Sequence, residues 1–345
     1  MPEVIAKERA DSHVGANSSL NTVAGLRRSS PLTRVFFTTD VHGSERCFRK
    51  FLNAAKAYKA DCLILGGDIT GKVLVPIVET SDGKYDVVLF GRKETLGKDR
   101  LADARKSLQD AGQYSFVSTP GELKEIQSDK ARETEVFDRA MIDVLKAWVQ
   151  LAQERLRGTN VKCFISPGND DKVEIDSALV DSGQFVNPEN RVVELGGGYE
   201  MITLGYANPT PWNSPREVSE EKLGEMIETL AAQVKNPANA VYNLHVPPID
   251  TELDKAPAVS SDFNYVKEAL GIKFIHAGSS SVRAAIERHA PLLGLHGHIH
   301  ESKGFVRIGR TLCLNPGSEY SDGILRGALA NLTDGKVHDF MLTSG

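Results

Sequence analysis

Cysteine is scarce: Cys47, Cys62, Cys163 and Cys313 are four residues in 345, far apart and with no CxxC pair. A disulfide framework is therefore not expected. Cys62, Cys163 and Cys313 sit in or beside apolar runs and read as buried, reduced thiols, which makes a cytoplasmic location the default. Long apolar runs are also missing, and none approaches the roughly 18 residues needed to span a bilayer. The stretch 1–32 is polar and lacks the apolar segment of a secretory signal. Arg27-Arg28 has no apolar run behind it of the kind twin-arginine export needs, because Thr38, Thr39 and Asp40 interrupt Val35 to Val41. Basic charge is not in excess. Lys and Arg number 41 against 46 Asp and Glu, for a net charge of -5. That balance argues against a duplex nucleic-acid binder, and leaves room for a small anionic substrate held through metal ions. Internal repeats and low-complexity runs are absent.

What is present is ordinary in bulk, with 41% hydrophobic and 25% charged residues, in a chain long enough for one large core or two smaller ones. Residues 1–31 show neither a period of 2 nor of 3.6 and read as a flexible tail, with phosphorylation of Ser29 or Ser30 as a lesser reading. The domain proper is expected over 32–345. Arg34 to Asp40 reads as a strand ending at a carboxylate, Val41-His42-Gly43 as a turn, and Ser44 as the cap of a helix over roughly 45–59. Cys62 to Leu65 is a second buried strand, ended by Gly66-Gly67-Asp68. Strand, helix and strand make a βαβ unit with parallel strands, which puts Asp40 and Asp68 on the edge where open α/β sheets bind ligands.

The rhythm breaks between 73 and 160. Val73 to Thr80 and Tyr85 to Phe90 flank Asp82-Gly83, a hairpin signal, and Pro76 predicts an edge position for the first strand. Two charged helical segments follow. The second carries Phe137, Met141, Val144, Trp148 and Leu151 on one face and ends near Gly158. That stripe reads as core packing, with a dimer arm, and hence a homo-oligomer formed through 73–160, as the lesser reading. Further strands are expected at Val161 to Ser166, around Gly196-Gly197-Gly198, at Ala240 to Leu244 and at Ile272 to Ile275, with helices over 218–234 and 280–289. Pro291 to Leu295 is another buried strand, followed by His296-Gly297-His298-Ile299-His300. Residues two apart on an extended backbone point the same way, so His298 and His300 are expected to face one point in space. Imidazole is the commonest metal ligand. Short strands and turns fill 304–343, with Asn315-Pro316-Gly317-Ser318 between two of them.

Asp40, His42, Asp68, Asn169, His245, His298 and His300 all follow apolar strands. Singly, each has a bland reading as a helix cap, a turn residue or a satisfied loop histidine. Jointly, imidazoles, carboxylates and one amide without thiolate suit Mn, Fe, Zn or Ni rather than a structural zinc. The donors outnumber what one tetrahedral ion uses, and two ions sharing a carboxylate fit better.

The motifs Asp40-Val41-His42, Gly67-Asp68, Gly168-Asn169, His245 and Gly297-His298-Ile299-His300 stand in the order D-x-H, G-D, G-N, H and G-H-x-H. In this the chain resembles the calcineurin-like metallophosphoesterase superfamily, over roughly 34–318. Asn315-Pro316-Gly317-Ser318 resembles a loop of its small phosphodiesterase-like members. The resemblance implies an α/β fold of two mixed β-sheets packed as a sandwich, with helices on the outer faces. It implies two divalent metal ions (Mn, Fe, Zn or Ni), one on Asp40, His42, Asp68 and His300, the other on Asp68 as bridge, Asn169, His245 and His298. His296 falls outside the set, as a packed or supporting residue. A hydroxide bridging the ions is then expected to attack phosphorus, with His42 and Asn169 near the scissile phosphate. The stretch 73–160 is longer than the family's usual connection and reads as an insertion of a hairpin plus helices. One departure stands out. Asp170 occupies the place where many members have a histidine proposed to protonate the leaving group. A carboxyl is ionised at neutral pH, and close metals lower its pKa further. Asp170 therefore stays a candidate catalytic residue beside His42 and Asn169, but a turn or ligand-orienting role suits it better than that of an acid. The favoured function is a phosphodiesterase acting on a small phosphoester, nucleotide-derived esters among them. The alternatives are a phosphomonoesterase or phosphatase, and a non-catalytic binding scaffold on the same fold.

Overall fold

The computed structural model describes residues 32–260, 262–269 and 271–345. The expected tail 1–31, with Ser29 and Ser30, lies outside the described residues. The chain enters through β1 (Thr33–Thr38) and turns into α1 (Glu45–Ala57), where the Ser44 hydroxyl accepts from the Cys47 amide as an N-cap. β2 (Cys62–Gly66) returns parallel to β1, with Val35 opposite Cys62. Then come β3 (Val73–Glu79), β4 (Tyr85–Leu89), β5 (Arg92–Leu96), α2 (Lys98–Asp110), β6 (Gln113–Ser118), α3 (Pro120–Ser128) and the long α4 (Lys130–Leu156). The next elements are β7 (Lys162–Ser166), β8 (Phe185–Val186), β9 (Arg191–Gly196), β10 (Tyr199–Leu204), α5 (Glu220–Ala231) and β11 (Val241–Leu244). Short strands β12 (Lys255–Pro257), β13 (Lys267–Glu268), β14 (Gly271–Ile272) and β15 (Phe274–His276) precede α6 (Ser280–His289). The chain closes with β16 (Leu293–Leu295), β17 (Gly304–Ile308), β18 (Thr311–Asn315), β19 (Arg326–Thr333) and β20 (Lys336–Ser344).

Two six-stranded mixed sheets result, ordered β20-β19-β1-β2-β7-β8 and β17-β18-β16-β11-β10-β9. Side chains alternate across each strand, so each sheet supplies two buried faces. Val35, Phe37, Ile64 and Phe164 of the first sheet meet Met201, Val241, Leu293 and Leu312 of the second. Phe36, Leu63 and Leu65 point the other way, onto α1 and α4, while Tyr242 and Leu244 face α5 and α6. This is the expected sandwich with outer helices. Central parallel strands covered on both faces must be apolar throughout, which is why Cys62-Leu63-Ile64-Leu65 shows no alternation. All four cysteines are buried free thiols. Among the described residues, no helix is long and apolar enough to cross a membrane.

The segment after β2 builds a separate four-stranded sheet, β5-β4-β3-β6, whose core joins Val75, Ile77, Tyr85 and Val87 to Leu108 of α2. Its Asp82-Gly83 turn is the hairpin read from the sequence, with Gly83 at φ +74°. The edge position expected from Pro76 is corrected. β3 is interior to this sheet, because β6 pairs along it in parallel. Pro76 is tolerated because the β4 ladder begins only at Ile77, so at Pro76 the strand is flanked on one side. The apolar stripe of α4 packs inward: Met141, Leu145 and Trp148 are buried, and Phe48 of α1 stacks on Trp148 at 4.1 Å between centroids.

Candidate metal centre

β1, β2 and β7 run parallel to one another in the first sheet, as β11 and β16 do in the second, and the loops after them carry the candidate residues. The sharp exits require left-handed backbone. Asp40 (φ 53°), His42 (φ 40°), Asp68 (φ 49°) and His298 (φ 68°) are non-glycine residues held in that region, as strained positions at functional sites often are. The left-handed turn at His298 also corrects the expectation for the two terminal histidines. They do not share one extended face, and each points into a different cluster.

Ligand atoms of Asp40, His42 and His300 lie within 4.8 Å of one another, and so do those of Asp68, His245 and His298. Asp68 joins the two groups. Its Oδ2 is 3.7 Å from His42 Nε2 and its Oδ1 is 3.4 Å from His245 Nε2. His300 Nε2 is 3.1 Å from His42 Nε2 and 3.4 Å from Asp40 Oδ1. Asn169 Oδ1 is 2.8 Å from His298 Nδ1. The structure thus brings together every strand-end donor singled out above. His296 stays outside: it is fully buried, with Nδ1 2.8 Å from the Leu244 carbonyl and Nε2 beside Gly294, where a Cβ would strike it. Burial pushes its pKa down to about 4, so it is a neutral packed ring.

The motif glycines have a steric reason. A Cβ at Gly67 would strike the His245 ring, one at Gly168 the Asp68 backbone and carboxylate, and one at Gly297 Thr39 and the Asp40 carboxylate. Asp171, which sequence reasoning missed, locks two of the loops. Its buried carboxylate accepts from the amides of Ile69 and Thr70 (both 2.9 Å), the amide of Gly168 (2.7 Å) and the Thr70 hydroxyl (2.5 Å). The Asn315 amide donates to the carbonyls of Gly297 and Ile299, and the Ser318 hydroxyl to the Asp40 carbonyl. The Asn315–Ser318 loop therefore braces two strand-end loops at once.

The donors fit a divalent cation. His245 Nε2 is buried without a hydrogen-bond partner, while its Nδ1 lies 3.0 Å from the Gly66 carbonyl. A carbonyl only accepts, so Nδ1 carries a proton and Nε2 is the nitrogen turned to the cluster, where a bound cation would take the place of a second proton. His42 is oriented likewise by the Thr70 carbonyl, 3.3 Å from its Nδ1. Burial and the neighbouring His300 pull the His42 pKa down to about 4, and burial takes His298 down to about 3. Burial would also lower His245, but the Asp68 and Asp40 carboxylates outweigh it and push that ring up to about 10. Burial opposes ionisation of Asp40 too, yet His300, His245 and His42 hold it below the usual carboxylate range. Buried carboxylates facing imidazoles, with no thiolate, are hard and borderline donors of the kind Mn, Fe, Zn and Ni accept. Several Asp and His groups are positioned to bind a metal ion.

At the mouth stand residues the sequence reading left out. Lys72 forms an ion pair with Asp170, and the Ser214 hydroxyl donates to the same carboxylate at 2.5 Å. The Asp170 amide donates to Asp68 Oδ1 at 3.0 Å. Burial alone would raise the Asp170 pKa, but Lys72, then Ser214 and His42, bring it down to about 2. The Tyr320 ring lies 4.7 Å from the His42 ring. Lys72 follows Asp68 by only four residues, a proximity the sequence offered. Ser214 and Tyr320 carried no such signal. The four-stranded sheet also reaches this place, since Gly43, Gly71 and Gly112 converge so closely that a Cβ on any one would meet backbone of another loop.

No protein-family model matches the chain. Over 152 residues it is 34% identical to the uncharacterized protein MJ1162 of Methanocaldococcus jannaschii, an alignment covering 44% of this chain and 61% of that protein. The match thus spans less than two thirds of the relative's length. One solved crystal structure superposes with a TM-score of 0.56 at 17% identity, covering 91% of this chain and 99% of its own. That of TT1561 from Thermus thermophilus gives 0.52 at 14% identity, with the same 91% and 99% coverage. At these identities the likeness speaks for the fold: the chain has the αββα architecture of solved proteins that match it almost from end to end.

Proposed function

We propose that the chain is a phosphoester hydrolase of the calcineurin-like metallophosphoesterase type, using two divalent metal ions and preferring phosphodiesters. The observation that carries this reading is the shared carboxylate of Asp68, whose two oxygens face two separate Asp/His clusters. Asp40, His42, Asp68 and His300 would hold one ion, and Asp68, Asn169, His245 and His298 the other. When bound, such ions supply Lewis acidity at phosphoryl oxygens and lower the pKa of water. The chain's own residues do the rest. The Gly66 and Thr70 carbonyls fix the faces of His245 and His42. Asp171 and Asn315 keep the loops in register. Asp170, held as a carboxylate, anchors Lys72 rather than donating a proton. The domain is read as 32–345, with 73–160 inserted into it. The acidic balance of the chain supports a small phosphoester over duplex nucleic acid as substrate.

The test is hydrolysis of bis(p-nitrophenyl) phosphate against p-nitrophenyl phosphate by protein stripped of metal and reloaded with Mn²⁺. Diester turnover well above monoester turnover is expected. Preference for the monoester would move the reading to a phosphatase, and silence on both, with metal bound, to a binding scaffold. Asp68→Ala should abolish turnover while leaving the fold intact by circular dichroism. Wild-type rates in that variant after reloading would refute the shared-carboxylate assignment.

A further inference from the structure

Asp170 stands where a proton donor is wanting, and its carboxylate is already engaged by a cation. The Lys72 ammonium pairs with it, and a carboxylate oxygen of Asp170 lies within 4.8 Å of ligand atoms of both His42 and Asp68. The ammonium is thus one carboxylate away from the residue shared by the two clusters. Its approach is built in from both sides. The Gly71 amide donates to the buried Tyr114 hydroxyl at 2.8 Å, and Val73 then enters β3, so the four-stranded sheet fixes the backbone that presents Lys72. On the other side, Ser214 and the Asp68 contact fix Asp170.

Exposure separates a floor from a mouth. Asp40, Asp68 and His245 are at most 2% exposed, whereas the Lys72 side chain is 56% exposed. In an in-line displacement at phosphorus, the entering and departing oxygens lie on opposite sides. Entry from the closed floor therefore puts the departing oxygen at the mouth, beside Lys72. Resting on the hydrolase reading above, we infer that Lys72 binds the departing oxygen of the phosphodiester and stabilises its developing charge, the task a proton donor at Asp170 would otherwise have. In the step, a water oxygen forms the new bond to phosphorus and releases a proton to the medium. The P–O bond to the leaving group breaks with its electron pair on the departing oxygen. The ammonium hydrogen-bonds that oxyanion and keeps its own protons. The oxyanion takes a proton from water to leave as the alcohol, the hydroxide so formed neutralising the proton released by the attacking water. Asp170 is the positioning residue that aims the lysine.

The experiment is a leaving-group series on the Mn²⁺-loaded full chain: aryl methyl phosphodiesters running from 4-nitrophenyl to unsubstituted phenyl, with wild type, Lys72→Ala and Lys72→Arg. A stabilised oxyanion matters most when the leaving group is poor. Lys72→Ala is expected to lose about a hundredfold in kcat on the phenyl ester and only a few-fold on the 4-nitrophenyl ester, with KM nearly unchanged. Lys72→Arg should retain most of the wild-type dependence, and manganese content measured by atomic absorption should match wild type in both. Equal loss along the series, a change confined to KM, or no loss at all would overturn the role of Lys72 while leaving the hydrolase reading standing. A wild-type protein inactive on the whole series and on bis(p-nitrophenyl) phosphate would remove that reading, and this one with it.

Discussion

Replacing Gly112 by alanine separates backbone strain from crowding at the metal loops. Gly112 sits at φ +77°, and a Cβ there would overlap the His42 carbonyl oxygen and press on the Ser44 amide. Gly83 (φ +74°) and Gly91 (φ +83°) belong to the same sheet, have the same handedness, and have nothing within 4 Å of a built Cβ. Left-handed strain alone costs roughly 1–2 kcal/mol, and all three alanine variants share it. Gly112→Ala adds a collision with backbone, which cannot swing aside as a side chain can, for another 1–3 kcal/mol or so. The expected total is about 2–5 kcal/mol for Gly112→Ala against about 1–2 for Gly83→Ala and Gly91→Ala. Relief of the collision must also displace the His42 loop, because the Ser44 hydroxyl donates to the Asp110 carbonyl at 2.7 Å and ties the two segments together. Urea midpoints measure the first effect, and calorimetric titration with Mn²⁺ measures the second. The reasoning is refuted if Gly112→Ala matches both controls in midpoint and in manganese affinity, since the four-stranded sheet would then not be bearing on the site.

Other perturbations test other parts of the molecule. Asp171→Ala strands buried donors on Ile69, Thr70 and Gly168, and should destabilise by about 3–5 kcal/mol in chemical denaturation, with Asp171→Asn milder. Phe48→Ala removes the ring stacked on Trp148 and should cost about 3–5 kcal/mol while leaving manganese stoichiometry unchanged in the folded protein. Burial pushes the Glu189 pKa up to about 8, despite the bond it accepts from the Gly205 amide. Between about pH 4.5 and 8 the unfolded chain has given up this proton and the folded chain keeps it. Stability from this group is therefore full at low pH and declines as pH rises through that window, by a few kcal/mol at most. Glu189→Gln should flatten the decline in urea midpoint between pH 5 and pH 8.5, and an unchanged slope would remove Glu189 as its source.

The sequence exposed what repeats locally. β1 and β2 are apolar runs ending in a carboxylate, Ser44 caps α1 within three residues of its partner, and Asp82-Gly83 turns a hairpin. Such signals need no knowledge of the rest of the fold. β5 and β6 escaped because Arg92-Lys93-Glu94-Thr95-Leu96 is a charged edge strand, and β6 is defined by its parallel partner β3. Pro76 misled because its local rule concerns one side of a strand, and only the tertiary register shows where the β4 ladder starts. At the site, the strand-end donors were legible one by one, as residue types after apolar runs. Their division into two clusters came only through the family resemblance; residue types and spacing do not carry it, because it depends on backbone angles such as φ 68° at His298. Asp171 and Ser214 act across intervals of about a hundred and about forty residues, for which a single sequence has no signature.

The division of donors between the sheets has a mechanical consequence. Asp40, His42, Asp68 and Asn169 hang from the first sheet, and His245, His298 and His300 from the second. A cation gripped by both halves would act as a rivet through the seam. Sliding one sheet over the other by a fraction of an ångström would then loosen both clusters together, coupling their affinities. Metal loading would draw its stabilisation from the union of the two layers, so the rivet and the seam would give way in a single cooperative event.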